Sequence, residues 1–239
     1  MIERHLAKIR ARDELSQAEE DTIRSSVLEY RDYPADRTVI RSGVELDHST
    51  LLLDGIMCRY KDLRSGERQI TELHVAGDFA DLHSFTLKRL DHEVMTLTAC
   101  RVAIVPHENL RRITEEFPHL TRMYWFGTNL DAAIHREWEV SLGRRNARSR
   151  LAALLCELQV RLQIVGLADD SGYDLPLTQT DLAECLGLTN VHVNRTLRDL
   201  REEGLVEFHG GRVRIHDQQA LRRTGEFDVG YLYLERRPR

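Results

Sequence analysis

The apolar positions between residues 178 and 200 follow two short helical repeats with a glycine between them. Thr178 and Asp181 have the spacing of a capping box, so a helix is expected to begin there and to end at Gly187. Thr189 can cap a second helix. The apolar residues that share one face are Leu182, Ala183 and Leu186 in the first helix and Val193, Leu197 and Leu200 in the second. Two short helices joined by a tight turn predict a helix-turn-helix, whose second helix enters the major groove of DNA.

The second helix also has an outer face that is free of this apolar stripe. A rotation of about 100° per residue places the following side chains on or beside that face: Val191, Asn194, Arg195, Arg198 and Glu202. Two alternating runs at 205–209 and 212–215 flank a pair of glycines, which predicts a β-hairpin. The module is therefore expected to be a winged helix-turn-helix, with a helical hairpin in an unrelated core as the alternative interpretation.

Short β-like runs dominate residues 37–105. They lie at 38–40, 50–53, 56–60, 69–73, 94–97 and 102–105, with Gly or Asp in the turns between them. Many short strands with regular turns predict a small β-barrel, roll or sandwich. Residues 6–32 have the spacing of an amphipathic helical lead, and residues 166–176 are expected to form a loop.

A long helix is predicted to begin at Pro118, after a shorter helix over 107–116. Its seam positions alternate by three and four and are Leu120, Met123, Gly127, Leu130, Ile134, Glu137 and Ser141. This spacing is typical of a coiled-coil dimer, although a core helix packed on the β region would give the same pattern. Because helix-turn-helix modules usually bind DNA as dimers, we favour a homodimer joined through residues 118–142. Gly143 is the expected hinge.

Composition sets the broad class of the protein. The chain has 239 residues, 41% of them hydrophobic, and a net charge of −5. This length allows two modest domains. No segment approaches about eighteen consecutive apolar residues, so we expect a cytoplasmic protein without membrane association. The four cysteines show no Cys-x-x-Cys spacing, which argues against a zinc finger or a disulfide framework and leaves a redox switch at one of them open.

The sequence lacks the motifs of several common enzyme classes. It contains no Gly-x-x-x-x-Gly-Lys phosphate loop, no Gly-x-Ser-x-Gly nucleophile elbow and no His-Glu-x-x-His metalloprotease helix. We therefore expect no catalytic residues and no enzymatic activity, and the pattern indicates no cofactor.

Four motifs are similar to those of one known family. They are Leu-Leu-Asp-Gly at 52–55, Ala-Gly-Asp-Phe at 76–79, Leu-Thr-Gln-Thr-Asp-Leu-Ala at 177–183 and Val-Asn-Arg-Thr-Leu at 193–197. Together with the predicted architecture they resemble the CRP/FNR family of bacterial transcription regulators over about residues 30–216. The resemblance implies an α+β fold with a β-roll sensor domain like those that bind cyclic nucleotides (1–117), a dimerisation helix (118–142) and a winged helix-turn-helix DNA-binding domain (143–239).

The resemblance also assigns roles to single residues. It implies that Thr178, Thr180 and Thr189 contact phosphates of double-stranded DNA and that Arg195 reads a guanine. The other candidate DNA-contacting residues are Asn190, Val191, Asn194 and Arg198. Asn190 and Val191 stand where cyclic-AMP-dependent relatives carry arginine and glutamate, so the palindromic site is expected to be more tolerant of A·T pairs. RNA polymerase is a further implied partner.

The effector region departs from the members of this family that bind cyclic AMP. Those carry Phe-Gly-Glu and later an arginine followed by Ser or Thr and Ala, whereas this chain has Phe-Ala-Asp at 79–81 and Leu-Asp-His-Glu at 90–93. No arginine fork is present for the cyclic phosphate, and Asp91 and Glu93 would repel an anion, so we do not expect cyclic AMP to bind. The cysteine ligands of iron–sulfur oxygen sensors are also missing, because no cysteine precedes Cys58.

The remaining candidate effector-binding residues are Asp78, Phe79, Asp81 and His83, for an unidentified small molecule. Spacing indicates no metal site, although the histidines at 83 and 92 leave a haem-sensing or metal-sensing regulator as an alternative. A nucleotide-binding regulatory module that does not act on DNA is the other alternative.

Overall fold

The computed structural model describes residues 2–239, and its first part is a pair of helices rather than one continuous lead. α1 (Glu3–Arg10) and α2 (Gln17–Ser25) are separated by a turn, because Ser16 starts α2 with a capping box to Glu19. The chain then enters strand β1 (Glu29–Tyr33). The expectation of helix up to residue 32 is therefore wrong at its end. β1 is an exposed edge strand of polar residues, which carry no apolar alternation.

The β region forms a roll of two antiparallel sheets. Its further strands are β2 (Arg37–Ile40), β3 (His48–Asp54), β4 (Met57–Asp62), β5 (Arg68–His74), β6 (Glu93–Thr96) and β7 (Cys100–Pro106). The sheet orders are β1-β7-β3 and β2-β6-β4-β5. These strands overlap the six predicted runs, and the turn after β5 leads into a short helix, α3 (Ser84–Leu87).

Two helices follow the roll, α4 (His107–Glu116) and α5 (Pro118–Arg144). The predicted seam of α5 lies inside the protomer. Leu120 and Met123 pack with the roll and α1, whereas Leu130 and Ile134 pack with the C-terminal half of the chain. Leu120, Met123, Leu130 and Ile134 are therefore core residues of one chain, as in the alternative of a packed core helix, whereas Gly127, Glu137 and Ser141 are only partly buried. A homodimer joined through residues 118–142 stays a prediction. α5 also continues through Gly143, so the bend lies one to three residues later than expected.

The C-terminal half is a winged helix-turn-helix domain. It consists of α6 (Ala147–Ile164), β8 (Ala168–Asp169), β9 (Gly172–Asp174), α7 (Gln179–Leu186), α8 (Asn190–Glu202), β10 (Val206–His209), β11 (Arg212–Ile215) and α9 (Gln218–Gly225). The hairpin β10-β11 extends into a four-stranded sheet with β9 and β8, in a segment for which we expected only a loop. A 3₁₀ turn, Val229–Leu232, packs on α5 and α6.

This domain rests against the roll. Apolar residues of β4 and β5 share one core with α7, and Gln69 Nε2 donates to the carbonyl oxygen of Glu184 at 2.7 Å. Arg161 of α6 donates to the carbonyl oxygen of Leu73 at 2.6 Å and to the Asp78 carboxylate at 3.0 Å. Within residues 2–239 no helix is both long and apolar enough to span a bilayer.

Candidate DNA-binding face and ligand cavities

The two helices of the helix-turn-helix are set by local caps. Thr178 Oγ1 accepts from the Asp181 backbone N–H at 3.1 Å, and the Asp181 carboxylate accepts from the Thr178 backbone N–H at 2.6 Å. Gly187 ends α7 with φ of 60°, a left-handed conformation that favours glycine. Thr189 Oγ1 accepts from the His192 backbone N–H at 3.3 Å and starts α8. The turn is therefore specified by residues adjacent in the sequence.

The predicted DNA-contacting side chains all lie on the exposed side of this unit. The exposed residues are Thr178, Thr180, Thr189, Asn190, Val191, Asn194, Arg195 and Arg198. Val191 is 75% exposed, which is unusual for valine and leaves its methyl groups free for contact. Asn190 Nδ2 donates to Thr180 Oγ1 at 3.1 Å and so links the starts of the two helices.

Arg195 and Arg198 differ in how far their charges are already compensated. Arg198 lies 3.7 Å from Asp199 and 3.8 Å from Glu202. The side chain of Arg195 forms no hydrogen bond or ion pair with any other part of residues 2–239. Its guanidinium therefore stands in solvent, available to an acceptor outside the chain.

The arginines around the bend after α5 are engaged within the chain. Arg145 pairs with Glu137 at 2.6 Å, Arg148 pairs with Glu203, and Arg150 donates to the carbonyl oxygen of Leu186 at 2.9 Å. These contacts hold α6 and α7 in place. The wing adds exposed polar side chains that the sequence pattern did not indicate, His209 and Arg214 among them. Only the position of the hairpin beside α8 could have indicated them.

The four predicted effector residues lie in three different places. Asp78 and Phe79 line a cavity beside α1. His83 lines a cleft between the roll and α5, where its ring lies 5.3 Å from that of His92. Asp81 lines neither space: it is fully buried and accepts from the Thr50 backbone N–H at 2.5 Å. Burial raises the pKa of Asp81 to about 6, and the structure thus gives it an internal role rather than contact with an effector in either space.

The cleft that contains His83 also holds the one buried arginine of the roll, Arg59. Its Nε donates to the Ala80 carbonyl oxygen at 2.9 Å, Nη1 to Glu72 at 2.7 Å and Nη2 to Asp131 at 3.0 Å. The guanidinium fork is therefore fully occupied by groups of the chain itself. A cyclic phosphate would have to displace two carboxylates to reach it.

The cysteines and histidines form no metal centre within the described part of the chain. Between residues 2 and 239, no three or more His, Cys, Asp or Glu side chains come together in a geometry that could hold a metal ion. All four cysteines are buried free thiols. Burial raises the pKa of Cys156 to about 12, and it also raises the pKa of the other three thiols.

The two halves of the chain match two known domain families. Residues 30–117 match the cyclic nucleotide-binding domain family, and residues 149–224 match the Crp-like helix-turn-helix domain family. Among solved structures, FixK2 from Bradyrhizobium japonicum superposes with a TM-score of 0.75 at 24% identity, over 82% of this chain and 96% of FixK2. This superposition supports the same fold.

Two relatives with higher sequence identity indicate the family of the protein. The transcriptional activator protein FnrL of Cereibacter sphaeroides is 33% identical over 189 residues, which are 77% of this chain and 74% of FnrL. The nitrogen fixation regulation protein FixK of Bradyrhizobium diazoefficiens is 33% identical over 166 residues, 67% of each chain. Both are regulators rather than enzymes. The protein therefore belongs to the CRP/FNR family of transcription regulators and binds DNA through its helix-turn-helix.

Proposed function

We propose that this regulator binds a palindromic promoter site as a homodimer and responds to an effector other than cyclic AMP. The observation that carries the proposal is the exposed face of α8, where Arg195 has no partner within residues 2–239 and Val191 is 75% exposed. A free guanidinium fork on a recognition helix fits the O6 and N7 atoms of one guanine. RNA polymerase is the further partner that we expect.

The base preferences follow from the side chains on this face. Arg195 is expected to demand one G·C pair in each half-site, a contact worth about 1–3 kcal/mol of discrimination. Val191 offers apolar surface suited to a thymine methyl group, and Asn190 is matched to adenine. Thr178, Thr180 and Thr189 are proposed to hold phosphates, with Asn194 and Arg198 beside the groove. The half-site should therefore keep one guanine and otherwise tolerate A·T pairs.

Selection from random DNA tests this proposal. The wild-type protein should enrich a palindrome with one fixed G·C pair in each half. Arg195→Ala should flatten the preference at that pair alone, whereas Thr189→Ala should weaken all sequences nearly equally, because it removes a phosphate contact and a helix cap. Enriched half-sites without a fixed G·C pair, or an unchanged motif with Arg195→Ala, would contradict the assignment.

The homodimer is proposed to form through the face of α5 that the protomer leaves exposed. Residues spaced by four and three along this face are Trp125, Asn129, Ala132, Arg136 and Glu139. Trp125 is 67% exposed, and beside it lies an apolar groove lined in part by Leu87 and Leu110. Arg136 and Glu139 have no ion pair within residues 2–239, so a two-fold axis along α5 would let each meet the opposite charge of its mate.

Control by something other than cyclic AMP is supported by the cleft around Arg59. The fork of Arg59 is held by Glu72 and Asp131, and Asp91 at the rim of the cleft pairs with Lys61 at 2.7 Å. Neither arrangement leaves a cation free for a cyclic phosphate. We therefore expect DNA binding without added cyclic AMP; calorimetry that shows micromolar binding of the nucleotide would contradict this.

A further inference from the structure

Residues 233–239 cross from the DNA-binding half back to the sensor half, and we call them the strap. They follow the 3₁₀ turn and run beside the segment that links α1 to α2. Arg237 N–H donates to the Arg12 carbonyl oxygen at 3.0 Å. Arg239 N–H donates to the Asp13 carboxylate at 2.7 Å, across 226 residues of sequence. The strap is therefore bonded through its backbone to the other half of the protein.

Side chains of the strap also contact α5. The guanidinium carbon of Arg239 lies 4.0 Å from the centre of the Phe126 ring, a cation–π distance, and Nη1 donates to the Arg12 carbonyl oxygen at 2.8 Å. The Tyr233 ring meets Phe126 nearly at a right angle, with centroids 6.2 Å apart. Phe126 is thus contacted by both ends of the strap.

Arg12 fixes the start of the strap from the sensor half. It is 3% exposed, and its Nη2 donates to the carbonyl oxygen of Leu232, the residue that precedes the strap, at 3.0 Å. Leu232 is fully buried. Separating the halves would leave a buried donor and a buried acceptor without partners, which is costly. The contact therefore opposes movement of the strap away from α1.

The covalent link between the halves is much shorter than the strap. Only residues 145–146 lie between α5 and α6, so other contacts must decide how the C-terminal half sits on the sensor half. Phe126 lies about 27 Å along α5 from this bend, at 1.5 Å per residue. A contact so far from the bend resists rotation of the C-terminal half more effectively than one beside it.

We propose that the strap is a conformational device that holds the DNA-binding half on the sensor half and so sets the spacing of the two recognition helices. The inference rests on the proposed binding of a palindrome by a homodimer through α5. The two copies of α8 must then reach half-sites about 34–36 Å apart. A half that is already held in place loses less entropy when both helices engage. The DNA-contacting face of α8 stays exposed in this arrangement, so the strap does not mask it.

Two arginines of the strap provide a matched pair of variants. Arg239→Ala removes the contact with Phe126 and the side-chain bond to Arg12. Arg237→Ala removes an exposed side chain that pairs with neighbouring Glu235, and it keeps the backbone N–H that bonds Arg12. Each variant loses one positive charge, so their non-specific effects on DNA affinity should be equal. A chain that stops at Leu234 is the stronger variant, because it keeps the Leu232 carbonyl for Arg12.

Hydrogen exchange of the free protein tests the strap itself. The amides to follow are those of residues 8–14 and 229–233, which every variant retains. We expect them to exchange about threefold or more faster in Arg239→Ala and in the shortened chain, because local opening becomes easier, and at the wild-type rate in Arg237→Ala. Wild-type exchange in both strap variants would overturn the proposal.

DNA titrations test the consequence for recognition. Each protein is titrated with a palindrome and with a duplex that contains a single half-site. Arg239→Ala and the shortened chain should bind the palindrome about threefold to tenfold more weakly than wild type and the half-site equally well, whereas Arg237→Ala should match wild type on both. The proposal is also overturned if both strap variants keep the wild-type ratio of the two affinities. A wild-type protein that binds the palindrome no more tightly than the half-site would instead contradict the proposed homodimer.

Discussion

His119 shows how a single side chain can give this protein a dependence on pH. At the start of α5, its Nδ1 lies 2.6 Å from Glu19 and its Nε2 lies 3.3 Å from Asp13. Burial lowers the pKa of His119, but the hydrogen bonds and charges of the two carboxylates outweigh burial and raise it above 6.5. The protonated ring therefore fastens the N-terminal helices to α5.

The raised pKa of His119 decides whether its contribution to stability grows or falls with pH. Stability from His119 should be fully present below pH 6.5 and should be lost as the pH rises through the higher pKa of the folded state. His119→Gln should flatten that part of the curve of unfolding free energy against pH, measured by urea titration. His209→Gln, on the exposed wing, is the control. If the slope in this range is the same in His119→Gln as in wild type, the histidine does not carry it.

The candidate site also shows which residues the sequence could place and which it could not. Thr178, Gly187 and Thr189 act on neighbours within three residues, so their roles were readable from spacing alone. Asp81 was expected to face an effector, but its partner is Thr50 on a strand 31 residues away. Arg12 gave no signal at all, because only the folded chain reveals that it is buried without a carboxylate within ion-pair distance in residues 2–239.

Helix α5 has an inner face that packs within the protomer and an outer face that is proposed to contact the partner. Ile134 is 3% exposed within the protomer, whereas Ala132 lies on the outer face. Ala132→Arg should yield a monomer in sedimentation that remains folded in chemical denaturation, because the bulky charge lies on the outer face, at the wall of the Arg59 cleft, and not in the core. Ile134→Asp should instead lower the free energy of unfolding by about 3 kcal/mol or more, because a charge enters the core.

The opposite pattern would reverse this assignment of faces. A dimeric Ala132→Arg protein together with a folded, monomeric Ile134→Asp protein would place the interface on the inner seam. The sequence could not decide between them, since both faces of α5 carry residues at three- and four-residue spacing. Which face is buried depends on where α6 and the roll lie. The short strands β8 and β9 were missed for a related reason: β9 exists by pairing with β11, and β8 exists by pairing with β9.

At the scale of the whole molecule, the sensor and DNA-binding halves are joined by polar bonds as well as by apolar contact. The helix caps and the hairpin made the helix-turn-helix predictable. The short strands separated by Gly or Asp turns made the roll predictable. The packing of α7 on β5 was not predictable, because Gln69 and Glu184 are 115 residues apart and neither belongs to a recognisable motif. The relative placement of the halves is thus a property of the folded chain alone.

Asp78 belongs both to the cavity beside α1 and to the contact between the halves. Its carboxylate pairs with Lys8 on one side and Arg161 on the other. A ligand in this cavity that altered the Lys8–Asp78 pair would also act on the contact of Asp78 with Arg161, so its binding would be linked to DNA binding by the C-terminal half. If such a ligand changes the affinity for DNA by some factor, DNA must change the affinity for the ligand by the same factor. In Asp78→Asn we expect that factor to approach one in titrations with and without the duplex; a factor equal to that of wild type would remove Asp78 from the coupling.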